Sequence, residues 1–305
     1  MGVMMQEKKT VVGFVGTGVM GFSMAKHLAL AGFEVKATNR SLEKAQGLRA
    51  FGVRVLPDLE EVVSGSDILC TMLGYPRDVE QVYMEGVFPY LQRQPSRPSL
   101  LIDFTTTQPS LSVEIARIAA ELGVFALDAP VSGGDVGARE GTLSIMVGGE
   151  AEAFDRALPV FQVVGRNVRH QGGPGAGQHT KMTNQITIAG TMMGVCEALV
   201  YGHTMGLDLT QVLESISKGA AGCWTLDHLA PRMLKGDFEP GFFVSHFLKD
   251  LRIALEEARR VGLELQGLAL AHDRYQETVA RGWGQKGTQV LLKTLSPSTK
   301  TKEQL

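Results

Sequence analysis

The run Val11-Val12-Gly13-Phe14-Val15 stops at Gly16-Thr17-Gly18-Val19-Met20-Gly21, and an apolar helical pattern follows over 20–31. Gly16 allows a sharp turn off the strand, Gly18 allows the backbone to approach an anion, and Gly21 allows the helix to pack close to the sheet. The first N–H groups of that helix then face a phosphate. The arrangement suits a dinucleotide pyrophosphate cradled by Gly16, Thr17, Gly18, Val19 and Met20. The next strand ends in Thr38-Asn39-Arg40-Ser41. A carboxylate there would bind a ribose 2′-hydroxyl and select NAD. None is present, and Arg40 offers a planar donor fork suited to a 2′-phosphate, with Asn39 and Ser41 beside it. NADP(H) is therefore favoured. NAD(H) is the alternative, with Asn39 on the ribose and Arg40 opening a surface helix capped by Ser41.

Two further groups carry chemistry. Lys181 falls early in a long helical pattern, and Asn184 and Gln185, three and four residues on, share its face. A helix N-terminus disfavours a cation, so the lysine is either an ordinary solvated one or an ammonium serving as proton donor and acceptor beside an anionic substrate. Asp128-Ala129-Pro130-Val131-Ser132-Gly133-Gly134 follows a strand. Ser132, Gly133 and Gly134 present backbone N–H groups and a hydroxyl that suit a carboxylate; the plainer reading is a glycine turn. The Thr105-Thr106-Thr107 hydroxyls either meet the nicotinamide end of a cofactor or cap the helix that begins near Pro109.

These residues must be held by a scaffold, and the pattern supplies one. Strands are predicted at 10–15, 33–37, 53–56, 67–73, 99–103, 124–128, 143–147 and 167–170, with helices such as 109–122 and 151–163 between them. That alternation predicts an α/β fold with a doubly wound parallel sheet and a mixed edge. After the glycine-rich break 172–177 the pattern is helical throughout, which divides the chain into 1–172 and an all-α domain, 173–305. The long helix 178–205 carries Gly190, Gly194, Ala198, Gly202 and Gly206 at every fourth place. Each glycine weakens a helix by about 1 kcal/mol. A close crossing inside the subunit, or a contact between subunits, would offset that cost.

Composition narrows the classes. In 305 residues, 44% are hydrophobic and 20% charged, which describes a globular protein, and the net charge of −2 gives no reason to expect nucleic acid or an anionic membrane as partner. Three cysteines without CxxC spacing speak for a reducing compartment and against a zinc site, and the seven histidines form no ligand pair, so no metal is expected. Residues 1–6 carry no signal or lipidation pattern, and the 296–305 tail is polar. A cytoplasmic protein is the expectation.

Together the motifs resemble the β-hydroxyacid dehydrogenases over roughly residues 11–292. Gly13 to Gly21 resembles their cofactor signature, Asp128 to Gly134 their substrate signature, and Gly177-Gln178-His179-Thr180-Lys181 with Asn184 their catalytic signature. Lys249-Asp250-Leu251 resembles a fourth motif, whose lysine reaches the nicotinamide. The resemblance implies a Rossmann-type domain followed by an all-α domain joined by a long interdomain helix. It further implies Lys181 as general acid and base, Ser132, Gly133, Gly134, Asn184 or Gln185 on a small carboxylic-acid substrate, and Leu73, Gly74, Thr106 and Lys249 on the cofactor. Leu73-Gly74 stands where the family often has Leu-Pro, and Asn184-Gln185 where some members have Asn-Asn. Trp224 matches a family tryptophan that either meets substrate or packs, with Cys223 where serine is common. A homodimer or homotetramer is implied. The expected activity is an NADPH-linked reductase of a small carboxylated aldehyde or ketone. An NAD-dependent dehydrogenase of the 3-hydroxyisobutyrate type and a non-catalytic NADP(H)-binding scaffold or redox sensor are the alternatives. An imine reductase usually replaces the lysine, and a decarboxylating phosphogluconate enzyme needs a longer helical domain.

Overall fold

The computed structural model describes residues 9–94 and 97–296. The readings made for residues 1–6, and for the tail beyond residue 296, lie outside the described residues. The strands are β1 (Val11–Val15), β2 (Glu34–Thr38), β3 (Arg54–Val55), β4 (Ile68–Thr71), β5 (Leu100–Asp103), β6 (Phe125–Asp128), β7 (Val131–Ser132), β8 (Leu143–Gly148) and β9 (Gly165–Gly172). The principal helices are α1 (Val19–Leu30), α2 (Pro109–Glu121), α3 (Gly134–Glu140), α4 (Ala151–Val164), α5 (Ala176–Thr204), α6 (Val244–Arg260) and α7 (Gln266–Ala280).

One sheet runs β3-β2-β1-β4-β5-β6-β8-β7, with β9 on β8. Pairing is parallel from β3 through to β6. Strands β1, β4 and β5 are buried along their whole length, because helices cover both faces, and this is why they read as unbroken apolar runs. The order reverses at β1, whose neighbours are β2 and β4, so a crevice opens beyond the carboxyl ends of these strands. The far edge is mixed: β8 runs antiparallel to β6 and β7 and parallel to β9. Strand β7 was not foreseen. It has only two residues, and Pro130 separates it from β6.

The glycine turn after β1 is dictated sterically. Gly16 has φ of 92°, and a Cβ there would strike the Met72 carbonyl oxygen. A Cβ at Gly21 would strike the Gly16 carbonyl oxygen, so α1 lies close against the turn only because residue 21 is glycine.

The chain forms two compact units, residues up to Lys181 and residues from Met182 onward. The first has apolar cores that include Phe14, Met24 and Phe161 in one cluster and Tyr83, Leu91 and Leu101 in the other. The second is helical, with Met192, Cys196, Leu199, Phe247, Leu251 and Tyr275 in its core, and Phe247 meets Tyr275 edge-on at 5.0 Å. The opening of α5 counts with the sheet unit and the rest with the helical one. Most of the small residues along α5 do not serve the core of the chain. Gly190, Gly194 and Ala198 are exposed, and a Cβ at Gly190 or Gly194 would meet nothing within 4 Å among the described residues. Only Gly202 is sterically confined, by Leu209. The close crossing within the subunit that the spacing allowed is therefore absent at four of the five positions, Gly206 being exposed as well. Among the described residues no helix is long and apolar enough to cross a membrane.

Candidate active site

The loops that carry the sequence motifs leave the carboxyl ends of adjacent parallel strands. After β1, the Gly16 N–H donates to the Thr38 carbonyl at 3.0 Å, and the Thr17 N–H donates to Asn39 Oδ1 at 3.0 Å. Asn39 Nδ2 donates in turn to the Ser41 carbonyl. The glycine turn and the end of β2 are thus one unit, and Asn39 is its brace. Gly18 caps α1 without a side-chain bond, and no acidic residue occupies the first turn. A Cβ at Gly18 would meet nothing within 4 Å among the described residues, whose packing does not demand glycine there. Thr17 Oγ1 is buried without a hydrogen-bond partner among the described residues, while Val19 is exposed and Met20 half-buried. An open approach over an uncapped helix start, with an orphaned hydroxyl below it, fits a dinucleotide phosphate. Arg40 projects into solvent, its side chain 88% exposed, with one guanidinium nitrogen 3.6 Å from Asp78. Ser41 does not cap the short helix Glu43–Gln46, whose cap position is Leu42.

After β4, the Leu73 N–H donates to Thr105 Oγ1 at 2.8 Å, and Gly74 follows, half-buried. After β5, Asp103 accepts hydrogen bonds from Thr71 Oγ1 at 2.7 Å and from the Thr105 N–H at 3.1 Å. Thr71 also contacts the Tyr83 hydroxyl, and burial holds that phenol well above its usual pKa. The cap reading for these threonines fails: Gln108 stands at the cap of α2, and Thr105 and Thr107 bond elsewhere. Thr106 lies between them, half-buried.

After β6 comes the turn Val131 to Gly134. Gly133 and Gly134 have φ of 126° and 62°, which only glycine adopts at low cost, and Ser132 pairs with Ser144 across β7 and β8. Lys181, 6% exposed, reaches this turn from α5, and its Nζ donates to the Val131 carbonyl at 2.8 Å. The ammonium is thus one residue from Ser132. A carboxylate stands at that helix start: Asp128 accepts from the Gly175 N–H at 2.7 Å and the Gln178 N–H at 2.8 Å. Burial, opposed by these two bonds, pushes the Asp128 carboxyl up to about 6, with Asp103 adding to the rise.

In the helical unit, Asn184, Gln185 and Lys249 are joined through Asp250. Asn184 Nδ2 donates to Gln185 Oε1 at 2.8 Å, and Gln185 Nε2 donates to Asp250 Oδ2 at 2.5 Å. Asp250 Oδ1 lies 2.9 Å from Lys249 Nζ, and all but Asn184 are buried. His246, one turn before Lys249, has its pKa lowered by burial and then by Lys249. Trp224 stands apart from this chain of bonds at the start of the short helix Trp224–His228, 63% exposed and stacked on His228 at 4.6 Å. Three residues that hold the site together, Asp128, Gln178 and Asp250, were within the motifs but carried no expected role, and Thr105 was expected on the cofactor or at a helix cap rather than as the acceptor of the Leu73 N–H. Their partners lie up to 73 residues away, beyond any local pattern. A surface groove of about 590 Å³, with Lys36, Arg54, Glu60 and Tyr90 among its lining, shares none of these residues. It is not the site. No group of three or more His, Cys, Asp or Glu among the described residues could hold a metal ion.

The fold and the loops beyond its strands define a nicotinamide-dinucleotide-dependent oxidoreductase. Residues 11–173 match the NAD binding domain of 6-phosphogluconate dehydrogenase, and residues 175–295 match the NAD-binding domain of NADP-dependent 3-hydroxyisobutyrate dehydrogenase. An uncharacterized oxidoreductase of Bacillus subtilis is 49% identical over 93% of this chain and 98% of its own. The 2-hydroxy-3-oxopropionate reductase of Escherichia coli is 35% identical over 93% and 96%. Among solved structures, the 3-hydroxyisobutyrate dehydrogenase of Mycobacterium tuberculosis with L-serine superposes with a TM-score of 0.87 at 30% identity, covering 95% of this chain and 100% of that one. The chain belongs to the β-hydroxyacid dehydrogenase family.

Proposed function

We propose that the protein is an NADPH-linked reductase of a small carboxylated aldehyde or ketone, with Lys181 as the general acid and base. The observation that carries this reading is the contact of Lys181 Nζ with the Val131 carbonyl, which sets a proton donor beside the Ser132-Gly133-Gly134 turn. Ser132, Gly133 and Gly134 hold the substrate carboxylate. Lys181 donates a proton to the carbonyl oxygen in reduction and takes it from the hydroxyl in oxidation. A bound nicotinamide supplies or accepts the hydride. Gly16, Thr17, Gly18, Val19 and Met20 hold the dinucleotide phosphates, Asn39, Arg40 and Ser41 the adenosine ribose end, and Leu73, Gly74, Thr106 and Lys249 the remainder.

Of the adjacent amides, Asn184 is the one assigned to substrate. Gln185 is buried and uses both ends of its amide, on Asn184 and Asp250, which leaves it to orient Asn184. The domain before residue 172 holds most of the cofactor and the substrate carboxylate, and the helical domain after it supplies Lys181 and Asn184 to the substrate, Lys249 to the cofactor, and the subunit contacts of a homodimer or homotetramer. The NADPH preference rests on the absence of a carboxylate at Asn39 and on the exposed Arg40. The rival, an NAD-dependent dehydrogenase of the 3-hydroxyisobutyrate type, is favoured by the Arg40 contact with Asp78, which would hold that guanidinium at the surface.

The test follows nicotinamide absorbance with NADPH and NADH against glyoxylate, succinic semialdehyde and tartronate semialdehyde, and with 3-hydroxyisobutyrate in reverse. NADPH turnover of an aldehyde acid, lost by about 10²–10⁴-fold in Lys181→Ala with NADPH affinity kept, is the expected result. Loss of NADPH affinity in parallel would remove Lys181 from the chemistry, and NAD-dependent oxidation of the hydroxy acid would promote the rival.

A further inference from the structure

The start of α5 is gripped twice by one loop and once by another. Asp128, the last residue of β6, accepts the N–H groups of Gly175 and Gln178, and three residues on the Val131 carbonyl accepts Lys181 Nζ. The Gln178 side chain turns the other way: its Nε2 donates to the Thr105 carbonyl at 2.8 Å and its Oε1 accepts the Thr107 N–H at 3.1 Å. Both ends of that amide are therefore used, and the side chain is fully buried. The approach is as close as backbones permit. A Cβ at Gly177 would strike the Met146 carbonyl and lie 2.6 Å from the Asp128 carbonyl, and one at Gly148 would lie 2.5 Å from Asp128 Oδ1.

We propose that Asp128 and Gln178 are positioning residues for Lys181: they lock the first turns of α5 to the ends of β6 and β5, which fixes the lysine over the Val131–Gly134 turn and in register with the Thr105–Thr107 loop. The inference rests on Lys181 being the proton-transfer group. Its geometric logic is that an anchor one helical turn before a side chain sets that side chain's height and direction, whereas a free helix end would let it swing. A carboxylate is needed at 128 because two N–H groups point at it from the helix. An amide there offers one acceptor and sets a donor against the second N–H. Gln is needed at 178 because it faces a carbonyl on one side and an N–H on the other, and an acid would place acceptor against acceptor at Thr105.

The experiment compares wild type, Gln178→Ala, Asp128→Asn, Lys181→Ala and the double variant Gln178→Ala/Lys181→Ala. The first readout needs no substrate: competitive acetylation of Lys181 relative to the exposed Lys44 across pH, read by mass spectrometry of the peptides. The second is single-turnover reduction of tartronate semialdehyde and succinic semialdehyde by bound NADPH, with NADPH affinity and thermal midpoint measured alongside. Gln178→Ala and Asp128→Asn are expected to raise Lys181 acetylation several-fold and to slow turnover by about 10²-fold, with NADPH affinity unchanged. In the double variant, Gln178→Ala is expected to add nothing to the loss from Lys181→Ala, since a positioning residue acts only through what it positions. Unchanged Lys181 acetylation in both single variants overturns the proposal whatever turnover does. Full additivity in the double variant overturns it too, by showing that Gln178 acts elsewhere. Wild-type turnover in Lys181→Ala overturns the reading of the lysine itself, a distinct failure that the acetylation result does not share. Gln178→Glu, which keeps the side chain's size, replaces Gln178→Ala if the smaller residue prevents folding.

Discussion

Three residues of the site make separable demands. Gly16 is fixed by backbone geometry: at φ of 92°, with the Met72 carbonyl in the way, Gly16→Ala should lower stability by about 2 kcal/mol and weaken dinucleotide binding, read by urea denaturation and a fluorescence titration. Arg40 is the opposite case, exposed and lightly held. Arg40→Ala should weaken NADPH by about 10–100-fold, the worth of a hydrogen bond to a charged group, while NADH affinity stays put. Equal effects on both would return Arg40 to the surface and favour the NAD reading. Asp128 couples the fold to pH. Its folded carboxyl titrates at about 6 against 3.8 when unfolded, so the folded state binds that proton more tightly. The stability it contributes is fully present below pH 3.8 and is lost as pH rises through about 6, a change of about 3 kcal/mol. Wild type should lose that amount relative to Asp128→Asn between the acid and neutral ends of a denaturation series. Parallel pH profiles would show that Asp128 keeps an ordinary pKa.

Among the elements, α5 departs furthest from its sequence reading. Its length and its start beside the glycine-rich break were legible, because apolar residues and an uninterrupted helical pattern persist across it. The purpose of its small residues was not. Spacing shows that Gly190, Gly194 and Ala198 share a face but not what that face meets, and the structure leaves it in solvent. A subunit contact is what we propose for that face. Gly194→Leu, whose Cβ would meet nothing within 4 Å among the described residues, should lower the molecular mass measured by light scattering without lowering the thermal midpoint of the isolated subunit. An unchanged mass would take the ridge out of the interface. The strands were legible for a related reason: β1, β4 and β5 are buried on both faces and spell themselves as apolar runs, whereas β7 has two residues and no run to read. The anchoring of α5 to β6 could not be seen at all. A carboxylate that caps a helix 47 residues later leaves no mark in the intervening sequence.

For the whole molecule, the motifs appear in chain order while the fold gathers several of them, those after β1, β2, β4, β5 and β6, at one edge of one sheet. Their order was legible and their joining bonds were not, since Thr105 meets Leu73, and Gln178 meets both Thr105 and Thr107, only through tertiary contact. Both tryptophans of the chain, Trp224 and Trp283, belong to the helical unit. Tryptophan emission in a urea titration therefore follows that unit, and far-ultraviolet dichroism follows both. Because α5 runs unbroken from one unit into the other, the two transitions should coincide. Separate midpoints would mean that the units unfold independently.

The ends of the sheet have a consequence for behaviour in concentrated solution. A sheet edge exposes unpaired amides that can recruit a strand from another molecule and seed fibrils. Here one end is β3, two residues long, and the other is β9, whose largely solvent-facing sequence carries Arg166, Arg169 and His170. One edge is too short to template a partner, and the other repels a copy of itself.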